Sequence, residues 1–113
     1  FSTVRVAKML KPETYEELAT YLEQESRFVF LFTADWCPDC QFLYPFLPDL
    51  EANNPSFTFV QVDRDGFMPL AQKWNIFGIP SLIVVENGRE IGRLVNKLRK
   101  TKEEINNFLA GLQ

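Results

Sequence analysis

Histidine is absent from this chain, cysteine occurs only twice, and Lys and Arg (12) are outnumbered by Asp and Glu (15). Each shortage removes a class of protein. A tetrahedral zinc site needs four ligands, so one cysteine pair without histidine would need a second chain or recruited carboxylates. Two cysteines in a single local motif do not form the framework of a disulfide-stapled secreted domain. A net charge of -3 and a pI near 4.9 argue against nucleic acid or an anionic membrane as partner, because both select clustered basic side chains. The longest apolar run, Phe28 to Phe32, falls far short of the ~18 residues of a membrane span. No export signal is visible, which favours the cytoplasm as the expected compartment, while a chain that begins at Phe1 rather than Met leaves an exported form open.

What is present suits one packed domain over residues 1–113. Hydrophobic residues make up 46% of the chain and eleven are phenylalanines, ample material for a single aromatic-rich core. Arg89 to Lys102 carries six Lys and Arg and reads as a solvated hairpin and helix start.

Local signals order the elements. Thr14-Tyr15-Glu16-Glu17 is a capping box opening a helix over about 15–25, with Tyr15, Leu18 and Leu22 on one face. Phe28 to Phe32 predicts a central strand buried on both faces. Phe42, Leu43, Phe46, Leu47 and Leu50 recur at helical spacing, and Pro45 among them should remove a backbone hydrogen bond and bend the helix. A strand over 57–62 and a short helix around Leu70, Ala71 and Trp74 follow. Asp63 to Gly66 reads as a turn between them. Asn87-Gly88 between two strand-like runs predicts a tight hairpin pairing Leu82–Val85 with Ile91–Val95. Thr101-Lys102-Glu103-Glu104 is a second capping box, opening a last helix with Ile105, Phe108, Leu109 and Leu112 inward. The order is α-β-α-β-α-β-β-α, with a further short strand near Thr3 to Val6. The fold class is α/β, a mixed sheet of four to five strands between helices, ending in a β-hairpin and a helix.

Both cysteines lie in Trp36-Cys37-Pro38-Asp39-Cys40, where the buried strand runs into the next helix. Free amides and the helix dipole at such a junction favour an anion, which makes Cys37 the expected exposed nucleophile. Cys40, one helical turn on, is close enough to close a disulfide and is directed inward. A structural staple across so short a loop would restrict the unfolded chain little. Thiol–disulfide exchange explains the pair better than a metal clip or a staple.

In this setting the chain resembles the thioredoxin family. Asp35 to Cys40 at a strand-to-helix junction, Pro45 five residues after the second cysteine, Gly78-Ile79-Pro80 before a strand and Asn87-Gly88 in the following hairpin match that family in order and spacing. The dipeptide Pro38-Asp39 is similar to that of members with a Trp-Cys-Pro-Asp-Cys site. The resemblance implies the thioredoxin fold, and a protein-disulfide reductase in which Cys37 attacks a substrate disulfide and Cys40 resolves the mixed disulfide. It further implies that Pro80 is a cis-proline facing the cysteines, at a cost of only ~0.5 to 1 kcal/mol for an X-Pro bond. Trp36, Pro38, Phe77, Gly78, Ile79 and Pro80 would then border the substrate groove.

Three positions depart from the family. Leu31 stands where thioredoxin places a buried aspartate that accepts a proton from the second cysteine. Gln61 stands for the accompanying lysine, and Asn96 for a groove glycine. Asp39 is therefore the candidate for proton transfer, against the plainer role of a first-turn carboxylate. The expected substrate is a disulfide-containing protein or a low-molecular-weight disulfide. No bound cofactor and no metal are expected, so electrons come from an external reductant such as a flavoprotein reductase; nucleic acid and membrane are not expected partners. Two rivals stand beside the reductase: a thiol oxidant or isomerase, whose known members carry a histidine inside the motif, and a redox-inactive binding module on the same fold.

Overall fold

A computed structural model describes residues 9–113. The strand expected near Thr3 to Val6 lies outside the described residues. The elements in chain order are α1 (Tyr15–Leu22), β1 (Arg27–Thr33), α2 (Pro38–Leu43), α3 (Leu47–Asn53), β2 (Thr58–Asp63), α4 (Met68–Lys73), β3 (Ser81–Glu86), β4 (Arg89–Leu94) and α5 (Lys102–Ala110). The four strands form one mixed sheet in the order β2-β1-β3-β4. β1 runs parallel to β2 and antiparallel to β3, and β3 pairs antiparallel with β4. Beyond β2 the backbone of Leu10 adds two bonds, Leu10 N to Phe59 O (3.0 Å) and Gln61 N to Leu10 O (2.8 Å).

β1 is interior and both of its faces are covered, as its unbroken apolar run requires. Phe28, Phe30 and Phe32 pack with Leu18 of α1, Phe67 just before α4, Ala71 of α4, and Ile83 and Val85 of β3. Val29 and Leu31 point the other way, among Leu43, Leu47, Leu50, Ile105 and Leu109. Burying one such large side chain contributes about 1.5–3 kcal/mol, so this strand alone anchors two apolar layers. Trp74 closes the first layer with edge-on contacts to Phe30 (5.7 Å between ring centroids) and Phe32 (5.9 Å).

Both threonines cap their helices, but the reciprocal glutamate bond of a full capping box is seen at neither. Thr14 Oγ1 accepts from Glu17 N and Thr101 Oγ1 from Glu104 N, each at 3.1 Å. Glu17 reaches back one residue further than the motif suggests, accepting from Glu13 N at 2.9 Å. α1 ends at Leu22, short of the expected 25. Pro45 does more than bend its helix: α2 stops at Leu43, Tyr44–Phe46 forms a 3₁₀ turn, and Pro48 sits in the first turn of a separate α3. Two prolines three residues apart remove too many backbone donors for one continuous helix.

The hairpin turns on Asn87 (φ 53°) and Gly88 (φ 80°), the paired left-handed residues of a tight two-residue turn. A bulge between Val84 and Val85 shifts the register, so Val84 pairs with Gly92 and Val85 with Glu90. β4 is the edge strand, blunted by Arg89, Glu90 and Arg93.

One glycine decides how the chain after β4 meets the chain before β3. A Cβ on Gly78 would lie 2.3 Å from Asn96 O and 2.8 Å from Lys97 Cα, both backbone atoms. Gly78→Ala should therefore lower stability by about 2 kcal/mol or more, since backbone cannot yield as a side chain can. Gly111→Ala, whose Cβ would meet nothing closer than 3.5 Å, is the control and should be near neutral. Thermal melts of the two variants beside the parent check the difference.

Candidate active site

The site lies where β1 ends. Ala34 and Asp35 lead out of the strand, and Cys37 N donates to Ala34 O at 3.2 Å, closing a turn that brings Cys37 to the N-cap of α2. Pro38 takes the first helical position, where its missing N–H costs nothing, and is exposed. Gln41 ties the turn down from within the helix, donating from Nε2 to Asp35 O at 2.9 Å.

The two sulfurs meet here as free thiols. Cys37 Sγ accepts the amide hydrogen of Cys40 at 3.2 Å, and Cys40 Sγ lies 2.6 Å from Cys37 Sγ. On its other side Cys37 Sγ is 3.9 Å from Ile79 O. That carbonyl changes one expectation: Cys37 is not an exposed nucleophile but keeps only 4% of its surface, while Cys40 keeps none. Cover by the 78–80 segment, invisible in the local motif, accounts for the difference. Burial, with the hydrogen bond to Cys37 second, pushes the Cys40 thiol from its ordinary 9.0 up to about 12.

The segment facing the dithiol is Phe77 to Pro80. The Ile79–Pro80 peptide bond is cis. Ser81 Oγ donates to Gly78 O, and Gly78, Ile79 and Pro80 are buried, whereas Phe77 is 62% exposed. Trp36 stands out from the surface at 61% exposure yet is held in place. Its Nε1 donates to Asp65 Oδ2 at 2.7 Å, and Arg64, paired with Asp65 at 2.9 Å, lies over its ring at 5.4 Å. The Trp36 and Arg64 hydrogen bonds hold the Asp65 carboxyl below its usual range. Asp63 to Gly66 is thus more than the turn it reads as, since it orients Trp36 from 29 residues away in sequence.

Asp39 is turned away from a free role by Arg99, whose Nε donates to Asp39 Oδ1 at 3.0 Å while its guanidinium covers Phe42 at 4.4 Å. Leu31 is fully buried on the sheet face packed against α2 and α3, so no carboxylate replaces the family's aspartate at that position. Gln61, in place of the family's lysine, donates to Thr33 Oγ1 at 3.1 Å. The basic segment is not simply solvated. Arg99 binds Asp39, Lys102 lies 3.5 Å from Asp49, and Lys100 has no exposed surface. Sequence reasoning singled out neither Arg64 nor Arg99, because each pairs across the fold with no local periodicity to announce it. No group of His, Cys, Asp and Glu suited to a metal ion occurs among the described residues.

With this geometry in view, the comparison with known proteins is direct. The family described as Thioredoxin matches the chain over residues 6–111. This chain belongs to the thioredoxin family. Mitochondrial thioredoxin-2 of Schizosaccharomyces pombe is 30% identical over 102 residues, which cover 89% of this chain and 77% of that protein. Thioredoxin H-type 1 of Nicotiana tabacum is 32% identical over 74 residues, 66% of this chain and 56% of that protein. The crystal structure of thioredoxin from Trypanosoma brucei brucei superposes with a TM-score of 0.84 over 99% of this chain and 96% of that one, at 18% identity, which shows the thioredoxin fold. As a member of this family the protein is a thiol–disulfide oxidoreductase, and its partners are disulfide-containing proteins.

The buried Cys40 thiol has consequences for pH. An acid whose folded-state pKa stands above its ordinary value keeps its proton when the unfolded chain has lost it. The reduced protein should therefore lose stability as pH rises from about 9 towards 12. In a mixed disulfide at Cys37 the contact between thiols is gone but the burial remains. Resolution by Cys40 should then speed up by about tenfold per pH unit between pH 7 and 9, following the thiolate fraction. Leu31→Asp should flatten that profile near neutrality and lower the melting temperature by burying an acid. Stopped-flow release of substrate thiol from a preformed mixed disulfide measures both, and a parent rate constant across pH 7 to 9 would refute the assignment.

Proposed function

We propose that residues 1–113 act as a single domain that reduces protein disulfides, with Cys37 as attacking and Cys40 as resolving thiol. The Cys37 thiolate attacks one sulfur of the substrate disulfide, forming a Cys37–substrate bond and releasing the other sulfur as a thiolate. The Cys40 thiolate then attacks Cys37 Sγ, closing the Cys37–Cys40 disulfide and releasing the second substrate thiol. Two electrons have passed from the dithiol to the substrate. An external reductant, such as a flavoprotein reductase or a low-molecular-weight thiol, returns the pair to the reduced state.

One observation carries the reading: Cys37 Sγ sits between Cys40 Sγ at 2.6 Å and the backbone of Ile79 at 3.9 Å. The first neighbour supports resolution with little movement. The second supports docking of an extended substrate segment along Ile79, with Trp36, Pro38, Phe77, Gly78 and Pro80 as the groove borders. The exposed Trp36 and Phe77 support contact with a protein substrate, because large apolar groups held in water gain most when covered. Asp39, bound by Arg99, fits the role of a first-turn carboxylate in an ion pair better than that of a free base.

The same chemistry bears on direction and compartment. The absence of histidine from the motif disfavours the oxidant reading, since no imidazolium favours the thiolate of the reduced form. Among the described residues no helix is long and apolar enough to cross a membrane. A reducing dithiol suits the cytoplasm, although one relative is named mitochondrial.

Insulin reduction with dithiothreitol as electron source tests the assignment. The parent protein should accelerate precipitation of the insulin B chain, Cys37→Ser should abolish the acceleration, and Cys40→Ser should accumulate a mixed disulfide visible by mass spectrometry. A mixed disulfide trapped instead by Cys37→Ser would reverse the two roles. A parent that leaves insulin intact would favour the binding-module reading.

A further inference from the structure

We propose that Lys100 is a positioning residue, whose buried ammonium pins the 96–100 loop as one wall of the substrate groove; this rests on the groove reading above. Lys100 has no exposed surface, which is rare for a lysine because an uncompensated buried charge is costly. Its Nζ donates to Asn96 Oδ1 at 2.7 Å, to Leu98 O at 2.7 Å and to Asn96 O at 3.4 Å, so all three hydrogens of the ammonium have acceptors. Asn96 Oδ1 also accepts from Leu98 N at 2.9 Å, which knots the same turn a second time.

Every acceptor lies within four residues of the lysine itself. Such bonds tie no helix to the sheet. What they do is hold one conformation of a stretch that has neither helix nor strand to hold it.

The pinned turn lies between the two halves of the candidate site. On one side Asn96 O and Lys97 Cα press on Gly78, the residue before Ile79, whose carbonyl faces Cys37. On the other, Arg99 reaches Asp39 in the helix that carries Cys40. Between them Leu98 is 69% exposed, presented rather than buried. Lys100, wholly covered, touches no substrate; it acts through Asn96, Leu98 and Gly78. Burial works against the ammonium and lowers its pKa, so the three hydrogen bonds, with the Glu104 and Asp39 carboxylates nearby, are what hold the charge there. The ligand class that would feel this wall is an extended polypeptide flanking a disulfide. A small disulfide has no chain to lay against it.

Single-turnover kinetics of the pre-reduced protein separate these effects. With Lys100→Met, the insulin concentration giving half the limiting rate should rise about tenfold, the scale of a lost hydrogen bond to a charged group. The limiting rate, and the rate with hydroxyethyl disulfide, should change less than twofold. Amide hydrogen exchange at Leu98 should quicken in the same variant, a readout independent of turnover. Asn96→Ala, which removes the shared acceptor, should act in the same direction, and it carries the test if Lys100→Met fails to fold. Unchanged half-saturation by insulin, equal losses with insulin and hydroxyethyl disulfide, or unchanged exchange at Leu98 would each overturn the role of Lys100. Those outcomes leave the dithiol chemistry standing, whereas failure of that chemistry shows as a parent protein inactive towards both disulfides.

Discussion

Holding two thiols together under one cover at the end of a buried strand is the constraint on which the rest of this structure turns. Cys40 has no accessible surface and Cys37 keeps only 4%, and the Cys40 amide hydrogen is given to Cys37 Sγ, so the two residues share a single helical turn. That arrangement needs a rigid strand end, a helix that starts at once and a cover over the pair. β1, buried on both faces, supplies the first. Pro38 in the first turn of α2 supplies the second, and the segment from Gly78 to Pro80 supplies the third.

The surroundings of the pair depart from the family where chemistry would be most sensitive. Leu31 offers no carboxylate behind Cys40, and Gln61 offers no cation, so burial is the largest influence on the Cys40 thiol. Polar control has moved to the rim instead. Trp36 is braced by Asp65 and Arg64, and Asp39 by Arg99. The 96–100 loop is closed on itself by Lys100. In the proposed reduction, a rim built from ion pairs and a pinned loop would order the approach of a substrate, and a dry interior would make its release depend on thiolate formation at Cys40.

Much of the scaffold was legible because local chemistry dictates it. Two threonine N-caps, a five-residue apolar run and an Asn-Gly pair each specify backbone geometry within a few residues, and each formed where expected, though neither cap gained its reciprocal glutamate bond. The register of the hairpin was less accessible, since the bulge at Val84 and Val85 depends on how β4 settles at the sheet edge. Pro45 announced a disturbance but not its extent, which required Pro48 to act with it. The dithiol was plain from its spacing. The resemblance pointed to Pro80 and its neighbours as the facing segment, but not to how fully they cover Cys37, because that depends on a contact with Ile79, 42 residues away. The Asp39–Arg99 pair spans 60 residues, and in a row of basic residues nothing marks Lys100 as the one whose own turn swallows it.

The division of labour between the thiols is the central claim, and competitive alkylation of the fully reduced protein tests it most directly. Brief exposure to iodoacetamide at pH 7, followed by peptide mass spectrometry, should find the label on Cys37, with Cys40 modified only after unfolding. Label appearing first on Cys40, or equally on both, would contradict the account.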